Sequence, residues 1–301
     1  MHYLGETASL LTSACYSLSA VAFTRSGRRV GSAAVNVVRL GVALVVMVLV
    51  HLVLAGSVFP FAAGPVRCAW LGVSGLIGFA LGDALLFESY VLLGPRLTLL
   101  IYTLWPVLAA LMAWLFLGES MGLGKGCAML VTLAGIALVV VEQARAGAGA
   151  PARPRRWSLG LALGVGAAAG QAVGFIFAKV GMAGGFSPVS ANVIRVGAGA
   201  LALWAWQAFR GELRPNLLRL RDTRAAGLIA LGSLLGPVTG VVLSLYAINH
   251  ARYLGVASTL MSLSPVLILP ISVYVEHERV SARALAGTLV CILGTCGLFL
   301  S

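Results

Sequence analysis

The chain has 301 residues, of which 60% are hydrophobic and only 10% charged, and its mean hydropathy is +0.99. A water-soluble domain has no interior large enough for that much apolar surface, so its solvent is lipid. The net charge of +12 does not signal nucleic acid, because the arginines sit in short loops between apolar runs and no aromatic-basic platform accompanies them.

A helix needs about 20 apolar residues to cross the hydrocarbon core. Ten such runs can be placed along the chain, leaving no loop long enough for a separate soluble domain. The N-terminus MHYLGETASLLTS has no basic segment and no small-residue cleavage site, so it reads as the start of a retained helix. Span 1, about 5–24, carries Ser9, Ser13 and Ser17 on one helical face, beside Thr12 and Tyr16. The loop SGRRVGS leads to span 2, about 33–55. Span 3, about 69–90, is rich in glycine at 72, 75, 78 and 82. Span 4 is LTLLIYTLWPVLAALMAWLFLGE at 97–119, with Pro106 inside it, and span 5 covers about 125–142. The Ala/Gly/Pro/Arg stretch at 143–157 cannot build a core and reads as a linker. Spans 6 to 10 follow at about 158–182, 189–209, 225–248, 254–275 and 282–300. The cysteines at 15, 68, 127, 291 and 296 lie in or beside these spans without metal-ligand spacing, and read as small apolar packers.

The two halves repeat. Pro106 and Pro265 are 159 positions apart, and so are Glu119 and Glu278, and Gly135 and Gly294. Asn36-Val-Val-Arg39-Leu-Gly41 answers Asn192-Val-Ile-Arg195-Val-Gly197, and Phe23-Thr-Arg25 answers Phe177-Ala-Lys179. Residues 1–142 and 158–301 are therefore expected to be five-helix repeats. Because five is odd, the second copy enters the membrane from the opposite side. The expectation is an all-α integral membrane protein with ten transmembrane helices as two inverted five-helix repeats, an arrangement typical of secondary transporters with a site near the midplane. Only Arg67, Lys125, Lys179 and Arg252 lie on the side of both termini, and the other loop arginines lie opposite. The positive-inside rule then places both termini outside the cytoplasm.

With these residues in view, the chain resembles the EamA-type transporters of the drug/metabolite transporter superfamily. The resemblance rests on the two repeats, on the proline-then-glutamate pattern closing spans 4 and 9, and on the Phe-x-basic ends of spans 1 and 6. It implies a ten-helix carrier of small metabolites such as amino acids or their relatives, often exported, in a bacterial inner membrane. It carries over no list of binding residues.

Asp83 lies deep in span 3, where a carboxylate costs a few kcal/mol unless it is paired or faces water. It reads either as a substrate or proton-coupling group, with a proton as the candidate coupling ion, or as the structural partner of Arg39, Arg195 or a helix end. The second half has Val242 at that offset. Arg39 and Arg195 lie within snorkelling reach of the surface, and the inverted repeat puts Arg195 on the face of Glu119 and Arg39 on that of Glu278. They are expected either as gate pairs or as interfacial anchors. Pro106 and Pro265 are expected to kink their helices. Tyr16, Ser17, Tyr102, Trp105, Gln171, Ser258 and Ser262 are the groups expected near a cavity, each with ordinary packing or backbone bonding as its alternative.

Gly72-Val-Ser-Gly75 matches an intramembrane serine-protease pattern, but His51 and His250 sit near span ends, and Asp222 lies in a loop too far for a dyad with Asp83. Neither an enzyme nor a cofactor or metal site is expected. A sensor or assembly subunit without transport is one alternative, and an intramembrane enzyme, for which no catalytic pair at one depth is found, is the other. The expected partners are the bilayer and a small-molecule substrate, without nucleic acid.

Overall fold

The computed structural model describes residues 3–146, 157–264, 266–267 and 281–300. All regular structure among them is helical. Among the described residues six helices are long and apolar enough to cross a membrane, at Ala33–Ala55, Pro65–Leu86, Leu123–Glu142, Ser158–Gly181, Pro188–Phe209 and Thr223–His250. Trp105–Leu117 and Ala282–Leu298 are shorter apolar helices.

Helix α1 (Leu4–Val30) runs straight through the expected SGRRVGS loop, and α2 (Ser32–Ala55) follows after one residue. Gly31 makes that turn at φ +86°, a conformation costly for any residue with a Cβ. The arginines at 25 and 29 simply lie on the exposed face of the last turns.

The expected third span falls on α3 (Pro65–Gly75), a π-helical segment (Leu76–Gly82) and the start of α4 (Asp83–Tyr102). Helix α4 continues through the expected loop between spans 3 and 4. The break comes instead at Thr103–Leu104, ahead of α5 (Trp105–Leu117). Pro106 is the reason. It has no N–H for the Tyr102 carbonyl, so an unbroken helix would leave that carbonyl unpaired, whereas at the first turn of α5 the missing donor costs nothing. Pro106 thus starts a helix rather than kinking one. Pro265 lies outside the described residues, but a turn at Ser262–Leu263 precedes it at the same repeat offset.

Helix α6 (Leu123–Ala146) closes the first half. The second half has α7 (Trp157–Gly181), α8 (Pro188–Phe209) and the short α9 (Leu213–Leu218). Then come α10 (Thr223–Ser233), a second π-helical segment (Leu234–Gly240), α11 (Val241–His250), α12 (Leu254–Met261) and α13 (Ala282–Leu300). Asp222 caps α10 by accepting the Ala225 N–H at 3.0 Å and pairs with Arg29 at 2.8 Å. The hydrogen bond from Arg29, then that from the Ala225 amide, hold its carboxyl below the usual carboxylate range.

The halves pack reciprocally. Helix α1 lies against α10, α11 and the second π segment, while α7 lies against α3, α4 and the first. The counterparts α2 and α8 pack on each other, as do α6 and α13. At the α6–α13 crossing Gly135 faces Cys291 and Gly294 faces Thr132, and a Cβ on either glycine would come within 2.5 Å of the facing residue. Arginine caps repeat the exchange. Arg67 donates to the Gly181 and Ala183 carbonyls at the end of α7, at 3.0 and 2.9 Å. Arg219 donates to the Val30 carbonyl at the end of α1, at 2.9 Å. A cation is favoured at each of these helix C-termini.

Candidate functional site

The two π segments fall at the same place in each half, and each ends in a glycine. A Cβ on Gly82 would sit 2.9 Å from the Ile77 carbonyl, and one on Gly240 2.9 Å from the Leu235 carbonyl. That is the i−5 carbonyl in both cases, so the wider turn fits only where the side chain is missing. The first segment lies against α7 and the second against α1. The Tyr16 ring lies against Gly240, and Gly174 of α7 lies against Gly78 and the Ser74 carbonyl.

A cluster from both halves forms in the space so framed. Trp105, at the start of α5, stacks on Phe175 of α7 with centroids 5.4 Å apart. On α8, the Arg195 guanidinium lies 5.5 Å from the centroid of Phe175 and 5.2 Å from that of Phe79 in the first π segment. Arg195 is 3% exposed. Its backbone also touches the bundle tightly, since a Cβ on Gly75 would collide with the Arg195 carbonyl oxygen. Tyr16 and Tyr102 pack against this same core, partly buried. Gln171 stands half-buried one turn before Phe175. Phe79 and Phe175 do not stand out in the sequence, because an apolar residue in an apolar span carries no signal. Their one hint was the proximity of Phe175 to Gln171.

The serines behave differently. Ser17 donates to the Ser13 carbonyl at 2.7 Å and to the Ser264 carbonyl at 2.9 Å, and Ser264 donates to the Ser13 carbonyl at 3.0 Å. These bonds tie α1 to the turn after α12. Ser258 and Ser262 are buried and donate to the Gly255 and Ser258 carbonyls of their own helix.

The charged residues are paired otherwise than the inverted repeat suggested. Glu119 does not meet Arg195. Its carboxylate takes the Lys179 ammonium, and accepts the Leu254 N–H at 2.8 Å where α12 begins. Arg195 lies in its aromatic sandwich instead, because depth in the membrane fixes the level of a side chain but not the direction it faces. Arg39 pairs with Asp83 and donates to Asn36 at 2.9 Å. Its expected partner Glu278 lies outside the described residues. Glu142, on α6, is buried and accepts the Ser281 hydroxyl at 3.0 Å. A cavity of about 460 Å³ opens beside Glu119, with Leu111, Trp114, Met121 and Gly255 in its wall. Among the described residues no cluster of His, Cys, Asp and Glu could hold a metal ion.

The structural counterpart of Asp83 is Val241, one residue from the Val242 given by the sequence offset, since each is the first residue after its π segment.

A solved structure described as "Crystal structure of protein" superposes with a TM-score of 0.72 at 19% identity, covering 100% of this chain and 98% of the other. At that identity the likeness is one of fold. The search among curated proteins gave no match. The model of the EamA-like transporter family matches twice, at residues 3–141 and 158–300. Members of this family are membrane transporters of the drug/metabolite transporter superfamily, not enzymes. The chain belongs to the EamA-like transporter family.

Proposed function

We propose that the protein is a secondary transporter of small polar metabolites, such as amino acids or related compounds, that works outward by alternating access. In this reading ten helices cross a bacterial inner membrane as two inverted repeats, 1–142 and 158–301, joined by the linker 143–157, with both termini outside the cytoplasm. The observation that carries it is the cluster of Tyr16, Phe79, Trp105, Phe175 and Arg195, which both halves build together. A site shared by two halves changes whenever one half rocks against the other, which is what alternating access needs. The Glu119–Lys179 pair joins the halves at one end and acts as a latch there.

Asp83 has a structural part in this reading. Its carboxylate neutralises Arg39 inside the bundle, and a carboxylate so engaged is not free to carry a coupling proton.

Uptake of a panel of labelled amino acids into proteoliposomes tests the proposal, with wild type and Asp83→Asn compared with and without a pH gradient. Saturable uptake by wild type is expected, with any gradient dependence unchanged in the variant's residual activity. Gradient-driven uptake that turns indifferent to the gradient in Asp83→Asn would overturn the structural role of Asp83. Folded protein that moves nothing on the panel would favour a sensor or assembly subunit.

A further inference from the structure

The Asn-x-x-Arg-x-Gly motif occurs once in each half, at 36–41 and 192–197, and its two copies are in different electrostatic states. In the first half the polar set is closed: Asn36 accepts from Arg39 Nε, and Asp83 neutralises the guanidinium. In the second half it is open. Arg195 Nε and Nη1 are buried without a hydrogen-bond partner among the described residues, and so is Asn192 Oδ1. These are three of the four such side-chain atoms found there, the other being Thr295 Oγ1. Asn192 is oriented by its own bond, Nδ2 donating to the Pro237 carbonyl at 2.9 Å in the second π segment. Its free oxygen is therefore an acceptor one turn from the free donors of Arg195 on α8.

The missing element is a carboxylate. The first half has Asp83 immediately after its π segment, whereas the second has Val241. Phe79 and Phe175 lie near the guanidinium, and such cation–π contacts help a desolvated cation. They do not satisfy N–H donors, and an uncompensated buried charge is strongly destabilising. A charge left in this condition is accounted for when a ligand completes it.

We propose that Arg195 receives the carboxylate of the transported molecule, in the role that Asp83 plays toward Arg39, and that Asn192 Oδ1 accepts a hydrogen bond from the same molecule. The substrate class is then small molecules bearing both a carboxylate and a nearby N–H or O–H donor. This rests on the transporter reading above and narrows it. Rocking of the halves opens the site, since Phe79 belongs to the first half and Phe175 and Arg195 to the second.

The test uses the full chain in nanodiscs, with L-leucine, L-phenylalanine and L-threonine as probes, and their carboxamides as matched probes without the carboxylate. Binding is read by tryptophan fluorescence and thermal shift, and transport separately by uptake into proteoliposomes. Wild type is expected to bind at least one acid about tenfold or more tightly than its amide, as the loss of charged hydrogen bonds implies. Arg195→Met should lose that preference and, without ligand, melt a few degrees higher, because it removes an unpaired buried charge. Arg195→Lys should keep part of the preference. Equal binding of acids and amides, no binding of any acid, or wild-type preference in folded Arg195→Met would each overturn the proposal. Carboxylate binding that needs Arg195 but comes with no uptake would uphold this site and overturn the transporter reading instead.

Discussion

Glu119 shows most clearly how much one side chain holds here. One carboxylate oxygen meets Lys179 at the end of α7, and the other accepts the first amide of α12. Both interactions cross between halves, and Glu119 is only 13% exposed, so the pair is partly shielded from water. Glutamine at 119 can still accept from Leu254 but cannot neutralise Lys179, while alanine can do neither. The expected order of melting temperature is therefore wild type, then Glu119→Gln, then Glu119→Ala, with each step about 1–2 kcal/mol. Thermal unfolding of the three proteins in one detergent checks the order, and equal melting of the two variants would remove the α12 cap from the account. The sequence pointed to Glu119 and Arg195 because both recur at a fixed offset, but it joined them to each other. Spacing gave their depth. Which neighbour each faces depends on helix rotation and on the π segments, which no periodicity displays. Tyr16 and Trp105 were legible as polar-tipped aromatics in apolar spans, whereas Phe79 and Phe175 were hidden among ordinary core residues.

At the scale of elements, two departures from regular helix matter most. The breaks at Thr103–Leu104 and Ser262–Leu263 occupy equivalent positions and each comes just before a repeated proline. Both prolines are visible in the sequence, but at Pro106 the chain stops and restarts instead of bending. The π segments were not visible, since a reading based on 3.6 residues per turn has no place for the wider turn. Their trace was nonetheless present as Gly82 and Gly240, which are the residues facing the i−5 carbonyls. A side chain at Gly82 has to push that carbonyl away or convert the segment to α-helix, which would rotate Asp83 away from Arg39. Gly82→Val is expected to destabilise the protein by about 1–3 kcal/mol through overpacking. Valine at the exposed Gly227, where a Cβ meets nothing within 4 Å, is the matched control. Equal melting of the two variants would contradict the tight π geometry.

At the scale of the molecule, the duplicated design is carried by reciprocity. Gly135 meets Cys291 where Gly294 meets Thr132, and Arg67 caps α7 where Arg219 caps α1. The repeated glycines were found by their offset, and the structure gives them a purpose in the α6–α13 crossing, where small residues let backbones approach. The arginine caps could not have been read, because a loop arginine looks the same whether it meets lipid, water or a helix end. Within this near-symmetric frame the Asn36–Arg39 and Asn192–Arg195 sites differ, the first neutralised by Asp83 and the second open among the described residues. In the proposed carrier, that asymmetry is where a substrate makes a difference. The central claim is that the two halves form a carrier, and counterflow tests it most directly. Proteoliposomes would be preloaded with an unlabelled amino acid and given a trace of the labelled one outside, with no other gradient. The account predicts a transient overshoot of label in the preloaded vesicles and none in empty vesicles, because a carrier returns faster when occupied. Uptake that is linear in concentration and indifferent to preloading would contradict alternating access.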